Sequence, residues 1–314
     1  MSTLTESRPL PVRVLKFGGS SVGDPGAICR VIDIVQTSAT KNRVVVVVSA
    51  LARVTNTLDA MLRDPAPDRA KELLNLYRRH VDSARELLSE AELETYRATL
   101  GNHLSNIIPA LRRVNQHAST HLDAAHILAA GERFSVPLVA AALRTAGLNS
   151  RSVDARSLIR VDSVSESDVD HKKSYDQIRR WYKTLQPGEI PIVAGFIAGA
   201  PCGRTVTLGR GGSDFTASLL ASALNANLLE RWTDVDGLFS ADPKESGKAE
   251  KYEVLRMEDA EILNHANKLG MHEHTITPLL ASRSPLRVRS LLSQGAGTLV
   301  IPITESSPRR LRAQ

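Results

Sequence analysis

Cysteine is scarce in this sequence of 314 residues, which contains only Cys29 and Cys202. Two isolated cysteines, without a CxxC pair or a Cys/His cluster, argue against a disulfide framework and a structural zinc site. Long apolar runs are also missing, because no stretch approaches the ~20 uncharged residues of a membrane span. Residues 1–11 are polar and lack the apolar core of a signal peptide. These absences predict a soluble, cytoplasmic protein with no membrane partner.

Aromatic residues make up only 4% of the chain, which leaves few platforms for stacking nucleic-acid bases. The net charge is +6, but the 40 basic residues are interleaved with 34 acidic ones. This pattern favours a mildly basic surface suited to small anionic ligands over a nucleic-acid interface.

Residues 208–217 concentrate three glycines, a cation, hydroxyls and a carboxylate just before an apolar helical run. Glycines let the backbone approach a ligand closely, and the start of a helix favours phosphate or carboxylate. We expect Ser213 to cap the following helix, over 214–224, and Arg210 to grip an anion with its planar guanidinium. The plain alternative is an ordinary glycine loop before a helix.

A second glycine turn follows the first predicted strand, at residues 12–15. Lys16-Phe17-Gly18-Gly19-Ser20-Ser21-Val22 leads into a helical pattern from Pro25, and strand, glycine turn and helix together are typical of phosphate binding. The spacing matches neither the Walker loop nor the dinucleotide fingerprint. Lys16 would reach a phosphoryl group from the strand end, or it is simply a turn residue.

Strands alternate with helices along the chain, which predicts an α/β sheet with helices on both sides. Residues 44–48 are consecutive valines, as in a parallel strand buried on both faces. The polar loop after them carries Thr55, which either faces a ligand or, with Asn56, caps a helix over 58–62. Further predicted elements are strands at 151–154, 190–197, 228–232, 284–292 and 297–301, and helices within 68–117, at 121–147 with a restart at 135–137, and at 257–269.

Glu132 and the aspartates within 233–243 are further candidates for ligand binding. Glu132, in the sequence Gly131-Glu132-Arg133, would accept hydrogen bonds from a substrate ammonium, or it is an acidic residue favoured at a helix start. Residues 233–243 place three aspartates after a strand, without the later glutamate of a calcium loop. They are better suited to the ribose, the base or the Mg²⁺ of a nucleotide.

These four motifs, at 16–22, 131–133, 209–217 and 233–243, occur in an order that resembles the aspartokinases of the amino acid kinase family. The resemblance spans residues 12 to about 300. It implies an α/β fold, an open αβα sandwich of the amino acid kinase (carbamate kinase-like) type, as a single domain over 1–314. Within it, 12–205 would form the amino-acid-binding lobe, 206–301 the ATP-binding lobe and 302–314 a tail.

The resemblance implies that L-aspartate and ATP, with Mg²⁺, give 4-phospho-L-aspartate and ADP. Lys16 would stabilise the transferring phosphoryl group, with Gly18 and Gly19 donating backbone N–H groups to it. Asp214 would orient the lysines and the substrate, and Arg210 would bind the substrate carboxylate. Positions matched to aspartate binding are Thr55, Glu132, Phe196 and Ser213. Positions matched to ATP binding are Ser20, Thr233, Asp234, Phe239, Asp242 and Lys268.

The resemblance also carries expectations about assembly and regulation. The paired ACT modules that usually follow such a kinase domain do not follow residue 301 here, so any end-product control is expected from a separate regulatory chain. A homodimer is expected to use kinase-domain helices between 68 and 117. Two alternatives stay open: a kinase for another small carboxylate or amino acid, such as glutamate or acetylglutamate, and a non-catalytic nucleotide or amino-acid sensor on the same fold.

Overall fold

The computed structural model describes residues 10–63, 68–162, 169–241, 249–265 and 269–302. Within those ranges the strands are β1 Val12–Phe17, β2 Arg43–Val48, β3 Ser150–Val153, β4 Ile190–Ala194, β5 Ile197–Gly199, β6 Thr205–Thr207, β7 Leu228–Thr233, β8 Leu238–Phe239, β9 Lys251–Tyr252, β10 Val254–Arg256, β11 Leu286–Ser290 and β12 Thr298–Ile301. The helices are α1 Pro25–Ala39, α2 Val54–Ala60, α3 Arg69–Leu87, α4 Glu90–Asn115, α5 His121–Leu128, α6 Ala130–Thr145, α7 His171–Tyr182, α8 Gly212–Ala223, α9 Met257–His265 and α10 Ile276–Ser282.

Eight strands form one sheet in the order β10-β12-β11-β7-β1-β2-β4-β3. The six strands from β11 to β3 pair in parallel, whereas β12 runs antiparallel to β11. The carboxyl ends of the six parallel strands therefore meet at one edge, which is where open α/β sheets bind ligands.

The valine strand β2 lies inside the sheet, between β1 and β4, and residues 44–48 are buried as predicted. Two sets of helices cover the sheet. Helices α1, α3, α4 and α6 contact one another, and α7, α8, α9 and α10 are linked by contacts of their own. Both sets reach β2, through α1 and α6 on one side and α8 on the other. The expected αβα sandwich is confirmed.

Two predicted helix starts are wrong. Helix α2 begins at Val54 after Arg53, whose left-handed backbone (φ 67°) turns the chain, so neither Thr55 nor Asn56 caps it. Helix α6 begins at Ala130 and continues through Pro137 instead of restarting there. Its residues from 134 to 143 are almost all buried, and this packing holds the proline inside the helix.

The predicted strand at 190–197 is also interrupted. The strand β4 ends at Ala194, because Phe196 adopts a left-handed backbone conformation with φ 69°. The Ile197 N–H then donates to the Gly195 carbonyl at 2.8 Å, and the chain turns into the hairpin of β5 and β6. A change of direction therefore occurs at the carboxyl edge of the sheet.

One segment, His121–Thr145, is long and apolar enough to cross a membrane by length and composition alone. Of its apolar window, 78% is buried inside the fold. It is weak evidence for a span, because core helices of soluble proteins pass the same test.

Candidate functional site

A cavity of about 1180 Å³ opens at the carboxyl ends of β1 and β7. Seven of the residues predicted from the sequence line it: Lys16, Gly18, Gly19, Ser20, Arg210, Asp214 and Thr233. Both glycine-containing motifs and the last residue of β7 therefore come together at one place. The volume exceeds the usual range for a small-molecule pocket, which leaves room for more than one ligand.

A buried charge cluster lies at the wall of this cavity. Lys16 on β1 pairs directly with Arg231 on the neighbouring strand β7. Lys16 Nζ lies 2.6 Å from Asp214 Oδ1, and Arg231 Nε lies 3.1 Å from Asp214 Oδ2. Asp214, in the first turn of α8, thus holds two cations that come from adjacent strands.

The protonation of this cluster follows from burial and charge. Burial lowers the pKa of Lys16, the neighbouring Arg231 lowers it further, and Asp214 opposes both. Burial acts to raise the pKa of Asp214, but Arg231 and Lys16 outweigh it and hold that pKa below its usual value. Asp214 is therefore a carboxylate, and the protonated cluster carries one net positive charge towards the cavity, as an anion site requires.

The loop before α8 owes its shape to glycine. Gly209 and Gly211 have φ values of 74° and 79°, a conformation in which a side chain is strained. Helix α8 begins at Gly212, with Gly211 at the N-cap. Ser213 is consequently buried in the first turn and does not cap the helix, so that prediction is wrong. Arg210, between the two glycines, is exposed and faces the cavity.

The turn after β1 is equally tight. The Gly18 N–H donates to the Trp232 carbonyl at 3.3 Å, and Ser21 Oγ donates to the same carbonyl at 3.1 Å. A side chain on Gly19 would come within 3.0 Å of the Ala50 carbonyl. The Gly18 N–H can therefore donate to a phosphate only if its long hydrogen bond to the Trp232 carbonyl breaks.

Glu132 lies behind the cavity lining in the first turn of α6 and is only 2% exposed. Its Oε1 accepts a hydrogen bond from the Ala50 N–H at 3.0 Å. Its Oε2 is buried and has no hydrogen-bond partner within the described part of the chain. Burial raises the pKa of Glu132 to about 8, against the smaller opposing effect of Lys16. Without a cation at Oε2 the carboxyl stays protonated at neutral pH, whereas a ligand ammonium placed there would favour the ionised form, whose Oε2 then accepts the hydrogen bond.

This raised pKa predicts a pH-dependent stability. The folded protein holds the Glu132 proton up to about pH 8, whereas the unfolded chain releases it near its ordinary value. Wild-type stability is thus lost as pH rises across that window, and Glu132→Gln should remove the loss. The difference in unfolding free energy, variant minus wild type, should increase by roughly 2 kcal/mol or more from about pH 5 to about pH 7.5, as measured by urea melts. Exposed Glu86→Gln is the control, and an equal difference at both pH values would contradict the assignment.

Three further predicted residues, Thr55, Phe196 and Ser213, do not line the cavity. Thr55 lies in α2, and the loop before it contacts the start of α6, where a side chain on Gly131 would overlap Ala50. Phe196 and Ser213 lie close together. A Cβ added to Gly195 would lie 2.5 Å from the Ser213 side chain, and one added to Gly212 would lie 3.2 Å from the Phe196 ring. The predicted amino-acid positions thus form two small groups.

Two predicted nucleotide positions, Asp234 and Phe239, do not line the cavity. Asp234 is exposed, and Thr233 Oγ1 donates to it at 3.1 Å. Phe239 is half-buried in the small hairpin of β8 and β9. Asp242 and Lys268 lie outside the described residues, so their predicted roles stay predictions.

Residues 270–274, to which the sequence assigned no site role, form one wall of the cavity. His272 stacks on Phe215 with ring centroids 5.1 Å apart. Its Nε2 lies 2.9 Å from the Leu208 carbonyl, and its Nδ1 accepts from the His274 N–H at 3.1 Å. These partners require a neutral imidazole that donates from Nε2, consistent with burial lowering the pKa of His272.

The sequence assigned no site role to Arg231 either. It lies within a strand and belongs to no glycine motif, so only the order of strands in the sheet reveals it beside Lys16. Its Nη2 also donates to the Gly270 carbonyl at 3.1 Å, which joins the charge cluster to the wall formed by 270–274.

An open α/β sheet with a cationic cavity at its carboxyl edge defines a class of proteins that bind anionic ligands at that edge. The profile of the Amino acid kinase family matches residues 11–290, and the chain belongs to that family. Within it, the chain is 31% identical to the bifunctional aspartokinase/homoserine dehydrogenase 2 of Arabidopsis thaliana, covering 91% of this chain and 32% of the relative. It is 32% identical to the aspartokinase of Chlamydia trachomatis, covering 91% and 62%.

Solved structures agree. Aspartokinase III of E. coli, in complex with aspartate and ADP, matches with a TM-score of 0.85 and 30% identity, covering 94% of this chain and 65% of that one. Uridylate kinase of Archaeoglobus fulgidus matches with a TM-score of 0.52 and 18% identity, covering 93% of this chain, which shows a shared fold alone. The chain thus spans about a third of its bifunctional relatives and under two thirds of these aspartokinases.

Proposed function

We propose that this protein transfers the γ-phosphoryl group of ATP to the side-chain carboxylate of L-aspartate, which gives 4-phospho-L-aspartate and ADP. The relatives named above support the aspartokinase activity. The observation that carries the proposal is the buried cluster of Lys16, Asp214 and Arg231 at the wall of the cavity, between two glycine-rich turns.

The reaction needs positioning and charge neutralisation more than it needs a base. An aspartate carboxylate oxygen is already ionised at neutral pH, so it attacks the γ-phosphorus directly while the bond to the bridging oxygen of ADP breaks. Lys16 and Arg231 would stabilise the negative charge on the transferring group. Asp214 holds both cations in place, so that little reorganisation is needed as the charge moves.

The nucleotide would bring Mg²⁺ with it. Within the described ranges no group of three or more histidine, cysteine, aspartate or glutamate side chains could hold a metal ion. Mg²⁺ at kinase sites is commonly bound by substrate phosphates with one or two carboxylates, and we assign Asp234 at the rim to that part. When bound, the ion neutralises phosphate charge.

For aspartate we propose recognition by Glu132 and Arg210. The α-ammonium would favour ionisation of Glu132, whose unpartnered Oε2 would then accept a hydrogen bond from it. The exposed guanidinium of Arg210 would bind a carboxylate through two parallel bonds. Aspartate would then lie on the side formed by residues 12–205 and ATP on the side formed by 206–301.

Arg210→Lys tests this recognition, because an ammonium cannot reproduce the two-bond geometry of arginine. We expect KM for aspartate to rise about 10-fold or more while KM for ATP changes little, which initial-rate kinetics would measure. Arg30→Lys, an exposed change on α1, is the matched control. An unchanged KM for aspartate would assign the carboxylate to another residue.

Arg231→Gln tests the second cation. Removing one of the two charges on Asp214 should lower kcat by about 10-fold or more without a comparable change in KM for aspartate. Arg151→Gln on the edge strand β3 serves as the control. Wild-type turnover in the Arg231 variant would confine this residue to a structural role.

A coupled ADP-release assay with a panel of carboxylates tests the function and its alternatives. We expect ADP release with L-aspartate and little with glutamate or N-acetylglutamate. Preference for one of those two would support the alternative kinase, and ATP binding without turnover for any substrate would support a sensor.

A further inference from the structure

A second cavity, of about 450 Å³, lies farther along the same carboxyl edge, at the ends of β3 and β4. No lining residue is shared between the two cavities. Helices α4, α5 and α6 line it as well, together with Arg156 and Ile197. It is therefore a separate space at the edge where α/β sheets bind ligands.

Arg133 brings into this cavity a cation that makes no direct ion pair within the described part of the chain, and the charges of Asp154 and Arg156 act on it with opposite signs. Its Nη1 donates to His126 Nδ1 at 3.2 Å, and its Nη2 donates to Thr205 Oγ1 at 2.5 Å. Its Nε is buried and has no partner among the residues described. No carboxylate in the described ranges lies within ion-pair distance of Arg133, so its partners there are neutral. A largely desolvated cation with neutral partners is costly unless an anion joins it.

The other charges of the cavity cancel. Arg156 binds both carboxylate oxygens of Asp154, with Nε at 3.1 and 2.9 Å and Nη2 at 2.5 Å. His126 is neutral, since its Nδ1 accepts from Arg133 while its Nε2 donates to the Asn106 carbonyl at 3.1 Å. Burial lowers the pKa of Arg133 to about 10, which leaves it protonated at neutral pH. One net positive charge remains.

The rest of the wall is largely apolar and includes Val136, Pro137 and Ile197. From the unpaired cation, the apolar wall and the volume, we propose that this cavity is a second ligand site, for a small organic carboxylate with an apolar body. The carboxylate would pair with Arg133 and the body would rest on Val136 and Ile197. Its size suits a ligand about as large as an amino acid.

Isothermal titration calorimetry tests the site with 4-methylpentanoate as the probe and its neutral isostere 4-methylpentanamide as the control. We expect saturable binding of the carboxylate with a Kd below ~10 mM, and about 10-fold weaker binding or none for the amide. Absence of saturable carboxylate binding, or equal binding of the amide, would overturn the proposal.

Two variants locate the binding. Arg133→Gln removes the charge, and Ser152→Phe fills the exposed rim of the cavity while leaving Arg133 intact. Each variant should weaken carboxylate binding about 10-fold or more. If thermal melting shows that Arg133→Gln is unfolded, the result with Ser152→Phe alone tests the site. Arg204→Gln, which removes a nearby charge outside the cavity lining, should bind as wild type does. Unchanged binding in the folded cavity variants would reject this site. Arg210→Gln alters the first cavity, so loss of binding in that variant would place the ligand there and reject the proposal as well.

Discussion

We expect Lys16→Met to lower kcat by about 10²-fold or more while the protein stays folded. Lys16 lies within β1 and is 7% exposed, so methionine can fill the space of its apolar stem. The substitution removes the ammonium 2.6 Å from Asp214 and with it the charge that faces the phosphoryl group. Steady-state kinetics at saturating aspartate and ATP measure the effect on turnover.

The matched control is Lys41→Met, which removes an exposed lysine and should leave turnover unchanged. Circular dichroism and thermal melting establish that both variants are folded. A folded Lys16→Met protein with near-normal kcat would reject the catalytic role of Lys16.

Asp214→Asn should have an effect of similar size for a different reason. Asparagine keeps the shape but leaves Lys16 and Arg231 facing each other without their shared carboxylate. Asp214 normally raises the pKa of Lys16 against the effect of burial, so its loss favours the neutral amine. We expect kcat to fall by about 10²-fold or more.

The pH profile separates this account from simple misfolding. If Lys16 loses its proton in Asp214→Asn, the activity of the variant relative to wild type should rise as pH falls, because the cation is restored. Asp33→Asn on the exposed face of α1 is the control. A relative activity independent of pH would contradict the proposed role of Asp214 in keeping Lys16 charged.

The sequence predicts those parts of the fold that local chemistry determines. Consecutive valines indicate a strand buried on both faces, and β2 is such a strand. Glycines on either side of Arg210 indicate a tight loop before a helix, and both adopt left-handed φ values. Helix starts are less predictable, since α2 begins after the left-handed Arg53 and α6 contains Pro137 under the constraint of packing.

Several features of the site depend on tertiary structure, which explains why the sequence does not reveal them. Arg231 reaches Asp214 because β7 pairs with β1 across more than two hundred residues of sequence. His272 becomes part of the cavity wall through stacking on Phe215 and hydrogen bonding to Leu208. The unpaired charge of Arg133 is visible only once its hydrogen-bond partners are known to be neutral.

Trapping the product with hydroxylamine tests the proposed function most directly, since an acyl phosphate reacts to give a hydroxamate. With ATP, Mg²⁺ and L-aspartate, we expect aspartate 4-hydroxamate in an amount equal to the ADP released. Lys16→Met should give neither product at a comparable rate. ADP release without hydroxamate, or no ADP release with aspartate at all, would contradict phosphoryl transfer to the aspartate side chain.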